Sequence, residues 1–160
     1  VVVGGVAELG QREIDREWRH VGDPVYDDWL VHRLDELAAT LSEPGVPVVW
    51  ATQPHVRIPP AEGVEGDWTT LQENDPARVD RLNEVIARTV GRHEGFTIAD
   101  LDAWGHARTG GEFGDDVRLE GRDLTPEAAR AAVGWLVPQV LDATGPSADE
   151  GPGAGDGTGD

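Results

Sequence analysis

Cysteine is absent, so five histidines and two serines are the side chains from which base or nucleophile chemistry could be built. Imidazole suits proton transfer because its pKa of about 6.5 lies near working pH. His55, in Gln53-Pro54-His55, and His106, in Trp104-Gly105-His106, each follow a predicted strand. They are the two histidines expected at the carboxyl rim of a sheet, where α/β proteins bind ligands. His32 and His93 fall on or beside predicted helices and are read as solvent-facing, and His20 lies in a loop. A serine nucleophile must be exposed on a tight turn after a strand. Ser42 ends the first predicted helix and Ser147 lies near the C-terminus, so neither fits. The acids Asp115, Asp116, Glu120 and Asp123 match no calcium loop, and no ligand pattern joins them to a histidine. No metal and no cofactor is therefore expected. Trp29, Trp50 and Trp135 have core spacing, whereas Trp68 and Trp104 fall in loops where ligand contact is open to them.

These groups must be positioned by alternating strands and helices. Val1 to Gly4 is a short apolar run, suited to a strand buried on both faces. Asp23-Pro24 starts a helix with Tyr26, Trp29, Leu30, Leu34, Leu37, Ala38 and Leu41 on one face, and Pro44-Gly45 stops it. A second strand covers Val46 to Ala51, and a long loop runs from Thr52 to Asn74. Asp75-Pro76 opens a helix with Val79, Leu82, Ile86 and Val90 toward a core. Phe96 to Leu101 reads as a third strand and Asp102 to Asp116 as loop. Last come a short extended run from Val117, a turn at Gly121 and a helix capped by Thr125-Pro126. Val133, Leu136, Val137, Val140 and Leu141 give that helix an apolar stripe. The order implies an α/β fold, a three-layer sandwich with a parallel sheet and right-handed crossovers.

The chain has 160 residues, and its formal charge of −18 comes from 31 acids against 13 basic residues. That balance disfavours nucleic acid and anionic membranes, both of which need a basic face. No apolar run is long enough to cross a bilayer. Residues 144–160 hold no large apolar side chain and are expected to be a disordered acidic, glycine-rich tail after a domain spanning 1–143. The chain opens directly on Val1-Val2-Val3, which is read as a domain entered partway through.

The turn before the last helix carries a family resemblance. Glu120-Gly121-Arg122-Asp123-Leu124-Thr125-Pro126-Glu127 resembles the final sequence block of the SGNH (GDSL-type) esterases and acyltransferases, in which an Asp and a His precede a Thr-Pro-capped helix. The helix Asp75 to Thr89 and the entry Gly22-Asp23-Pro24 look like those of SGNH domains fused to membrane acyltransferases. The resemblance covers most of residues 1–143. It implies a flavodoxin-like three-layer fold, a serine esterase or O-acyltransferase parent outside the cytoplasm, and acylated glycans or small acyl esters as ligands. A membrane acyltransferase domain in the same parent chain is a further implied partner. It assigns the catalytic Asp and His positions to Glu120 and Asp123, and an oxyanion loop to Gly5 and Ala7. Asp123 is a poor base, since a carboxylate titrates near pH 3.9. The chain is thus expected to be inactive, or a non-catalytic binding or scaffolding module. A flavodoxin-like binding protein shares the element order, but Gly4-Gly5 is too little for a phosphate-cradling loop.

Overall fold

The computed structural model describes residues 1–3, 5–42, 44–59, 71–119 and 123–143. In chain order they form β1 (Val2–Val3), a hairpin of β2 (Arg12–Ile14) and β3 (Glu17–Arg19), α1 (Pro24–Leu41), β4 (Val48–Ala51) and α2 (Pro76–Val90). There follow β5 (Phe96–Ala99), α3 (Leu101–His106), a second hairpin of β6 (Arg118–Leu119) and β7 (Asp123–Leu124), and α4 (Pro126–Ala143). Glu120, Gly121, the tail from 144 and the loop residues 60–70, including Trp68, lie outside the described residues.

Every long helix starts where its cap dictates. Asp23 accepts the Val25 amide at 2.9 Å and Asp75 accepts the Ala77 amide at 3.0 Å, each with proline at the first helical position. Thr125 Oγ1 accepts the Ala128 amide at 3.1 Å and opens α4. A fourth cap was hidden in the sequence. Asp100 accepts the Ala103 amide at 3.0 Å, so β5 stops at Ala99 and α3 begins at Leu101. The expected third strand is two residues shorter than read, and the start of the expected loop 102–116 is helical.

Strands β1, β4 and β5 form a parallel sheet in that spatial order, with Val2 opposite Trp50 and Trp50 opposite Ile98. The chain is therefore mixed α/β with parallel strands joined through helices. All four residues of β4 are buried, so both faces of the central strand are covered. Helices α1 and α2 pack on each other, while α4 touches β4 and β5. The core gathers Leu30 and Leu34 from α1 with Val79, Leu82, Ile86 and Val90 from α2 around Trp50. Asp27 on α1 is 5% exposed and bridges the helices, accepting Arg81 Nε and the Gly22 amide at 2.8 Å each. A buried carboxylate with both oxygens bonded costs far less than an unpaired one.

The apolar stripe of α4 lies differently from a core stripe. Val133, Val137 and Leu141 are 59%, 46% and 62% exposed, and the buried residues of the helix are Ala128 and Ala132. Trp135, Leu136 and Val140 are half-buried, so only part of the expected stripe faces outward. Among the described residues no helix is long and apolar enough to cross a membrane.

Candidate functional site

The carboxyl end of β4 is fixed by side chains that imitate backbone. Asn83 on α2 accepts the Gln53 amide and donates to the Gln53 carbonyl, both at 2.8 Å. Thr52 Oγ1 donates to Asp100 at 3.0 Å and accepts the Asp102 amide at 3.0 Å. These bonds continue the sheet's satisfaction past its last strand residue and aim Pro54-His55 across the rim. The start of α3 is tied to the same point.

His55 is thereby held among acids from three elements. Its Nδ1 lies 3.0 Å from Glu112 Oε1, its Nε2 lies 3.0 Å from Asp80 on α2, and its amide donates to Asp102 at 3.3 Å. Its side chain is only 12% exposed, as is that of Glu112. His106 enters from the end of α3, with Nε2 3.4 Å from the same Glu112 oxygen and Nδ1 3.0 Å from the Asp102 carbonyl oxygen. The two imidazoles meet edge to face with centroids 4.9 Å apart. Arg118, buried on β6, donates to the His55 carbonyl at 3.0 Å and to the Glu112 carbonyl at 3.4 Å. Glu112 Oε2 is buried with no hydrogen-bond partner among the described residues.

Burial sets the electrostatics here, modified by charge. Desolvation alone would lower the His55 pKa, but hydrogen bonds to Asp80 and Glu112 outweigh it and raise the group above the ordinary histidine value. Burial pushes Asp102 above the usual carboxylate range, against the pull of His55 and His106. Arg118 is lowered by burial and held up by Glu112, Asp123 and Asp102. His55 and Glu112 also line a cleft of about 580 Å³, with Phe113 and Asn74 among its walls. Such a set can hold a proton, orient a polar ligand or hold a cation.

No family model, no curated protein and no solved structure matches this chain. The site is read from its own chemistry.

Of the residues singled out in the sequence, His55 and His106 do converge at the rim. Asp123 sits on β7, exposed and paired in register with Leu119, and its charge helps hold up the Arg118 pKa. Glu120 lies outside the described residues. Gly5 follows β1 at φ +143°, and a Cβ there would stand 3.1 Å from Leu82 Cδ2 and 3.2 Å from Gln53 Cβ. The position demands glycine for close approach to the end of β4. Ala7 lies in the short 3₁₀ turn Val6–Glu8 that Gly5 opens. Asp115 and Asp116 are exposed. Trp104 lies against Trp135 with centroids 6.2 Å apart and planes tilted by 38°, and the Arg108 guanidinium carbon is 5.1 Å from its ring centroid.

The sequence reading missed Asp80, Asp102 and Glu112. Asp102 and His106 are four residues apart, which places them on one face once the segment is helical. The signal was the Asp100 cap, obscured because Leu101 was read as strand. Glu112 carried no local signal.

Proposed function

We propose that this chain is an SGNH-type domain that binds acyl esters of glycans without turning them over by serine catalysis. One observation carries the binding half of the reading. A cleft of about 630 Å³ runs beside Gly5, with Trp29, Leu30, Leu34, Leu82 and Ile86 in its walls. Trp50 also lines it, and the buried indole N–H of Trp50 has no acceptor among the described residues. Apolar walls suit an acyl chain, and a free N–H suits the ester carbonyl. Arg12 and Arg33 at the same cleft would meet sugar hydroxyls.

The inactive half rests on the nucleophile. Ser42, the one serine among the described residues, donates to the Ala38 carbonyl at 2.7 Å at the far end of α1. A hydroxyl without a neighbouring base does not attack an ester. The fold supports the same reading in outline. With right-handed crossovers, the order β1-β4-β5 would carry α1 and α2 on one face, and α4 on the other would complete a three-layer sandwich.

Titration of the chain with an O-acetylated oligosaccharide, followed by tryptophan fluorescence, is expected to saturate. A p-nitrophenyl acetate assay is expected to give no rate above buffer, and a fluorophosphonate probe no labelling. Covalent labelling would overturn the inactive half, and a folded chain that fails to bind acylated sugar would overturn the binding half. The exposed Val133, Val137 and Leu141 favour a second reading, a scaffolding module that seats a partner domain such as a membrane acyltransferase. That reading predicts no ester binding and a helix face that becomes protected when the partner domain is present.

A further inference from the structure

The rim cluster has features that ester binding does not use. One ligand atom each from His55, Asp102, His106 and Glu112 can be chosen so that all lie within 4.8 Å of one another. The four come from three places, the exit of β4, the single face of α3 and the loop that follows it. Their convergence is therefore a product of the tertiary fold rather than of local acidity.

The hydrogen bonds around the two imidazoles give the cluster its direction. His55 Nε2 faces the Asp80 carboxylate at 3.0 Å, and His106 Nδ1 faces the Asp102 carbonyl oxygen at 3.0 Å. A carbonyl oxygen only accepts, so His106 must carry a proton on Nδ1, and Asp80 asks the same of His55 Nε2. In neutral imidazoles the lone pairs then lie on His55 Nδ1 and His106 Nε2. Both of those nitrogens point at one oxygen, Glu112 Oε1, at 3.0 and 3.4 Å. Three lone-pair donors facing each other repel unless a cation or added protons stand between them. The other oxygen, Glu112 Oε2, is buried and has no hydrogen-bond partner among the described residues, so half of this carboxylate lacks the bonding that burial calls for. A metal ion between these groups removes the repulsion, and a Glu112 carboxylate that binds it through both oxygens also engages Oε2.

We propose that His55, Asp102, His106 and Glu112 bind one divalent transition-metal ion of the zinc class, with Asp80 as the positioning residue that fixes the His55 tautomer. Imidazole nitrogen with carboxylate oxygen is a donor set suited to zinc and its neighbours, and the absence of thiolates disfavours softer ions. Ligand atoms around a tetrahedral zinc lie about 3.4 Å apart for bonds of about 2.1 Å, close to the separations of both nitrogens from Glu112. A carboxylate or carbonyl behind each ligating imidazole is the usual outer shell of such sites. The ion would form part of the wall of the cleft that His55 and Glu112 line. The proposal does not depend on the ester reading.

The test is isothermal titration of the chelator-treated full chain with zinc chloride, with cobalt(II) absorption as the reporter of geometry. One ion per chain is expected, together with visible cobalt bands of a low-coordinate nitrogen and oxygen site. His106 is half exposed, so His106→Gln should fold normally by circular dichroism and weaken zinc by roughly 100-fold. Asp80→Asn should weaken it by about 10- to 100-fold, as losses behind a ligand do. Asp115→Asn with Asp116→Asn should leave affinity unchanged. Several weak ions per chain, magnesium binding as tightly as zinc, or unchanged affinity in folded His106→Gln would overturn the proposal. Ester titration of the zinc-free chain reads the other cleft separately, so the two proposals fail independently.

Discussion

Tyr26 is the one tyrosine of the chain, and its ring is fully buried. Its hydroxyl donates to the Glu8 carbonyl at 3.0 Å and contacts the Glu8 carboxylate at 3.1 Å. Burial, reinforced by the Glu8 charge, pushes the phenol up to about 12 from an ordinary 10.0. The fold therefore holds the neutral phenol, and this contribution is fully present below pH 10. Between pH 10 and about 12 the unfolded chain releases a proton that the folded chain keeps, so stability falls as pH rises. Alkaline titration of phenolate absorbance should show one late transition, and Tyr26→Phe should lose the extra steepness of alkaline unfolding. A midpoint near 10 in a chain still folded by circular dichroism would refute this account of the Tyr26 environment. Asn83 offers a second test at the same scale. Its two bonds to Gln53 hold the approach to His55, and Asn83→Ala would leave a backbone amide and carbonyl unmet. A loss of about 1–3 kcal/mol in urea unfolding is expected, and a neutral result would mean that solvent reaches Gln53.

At the scale of elements, what was legible followed from caps. Asp23, Asp75 and Thr125 each precede a proline, and the three long helices start at those prolines. Capping through Asp75 is expected to matter individually. Asp75→Ala should cost about 1 kcal/mol of thermal stability, and Asp75→Ser should recover most of it. If both substitutions lowered stability equally, the carboxylate would be acting through charge rather than through the cap bond. What was not legible lacked such punctuation. The hairpin of β2 and β3 turns through Asp15 at φ 53° and Arg16 at φ 68°, a left-handed pair with neither glycine nor asparagine to announce it. Helix α3 is six residues long and starts behind an apolar residue that continues the strand pattern of Phe96–Ala99. The candidate site depended on this helix, since only helical geometry puts Asp102 beside His106. His55 and His106 could be anticipated because both follow strands. Their partners Glu112 and Asp80 are 57 and 25 residues from His55, distances over which sequence spacing carries no geometry. Asp123 shows the converse, a residue picked out by motif position that the fold leaves exposed on a two-residue strand.

The whole molecule carries a charge of −18, and its 31 acids exceed its 13 arginines by 18, so most carboxylates have no cation to pair with. Two effects of added salt oppose each other. Screening weakens attractive pairs such as Arg33–Glu36 and Arg130–Glu127, which are exposed on both sides and worth little to begin with. It also weakens repulsion among the unmatched acids, which acts over the whole surface and favours expansion. The buried bridge from Arg81 to Asp27 is shielded from salt by its 8% exposed carboxylate and stays on the folded side of the balance. Repulsion should therefore win. Raising ionic strength from about 0.01 to about 0.15 M shortens the Debye length from about 30 to about 8 Å, less than the width of the domain. The melting temperature should rise over that range, and equally in sodium chloride and tetramethylammonium chloride, because screening needs no particular cation. A rise confined to sodium would point to specific ion binding, and a flat or falling curve would show that attractive pairs dominate the surface. Zinc should act apart from this trend. In the high-salt plateau, where general repulsion is already screened, a stoichiometric amount of zinc should still raise the melting temperature of the parent chain and leave that of His106→Gln unmoved.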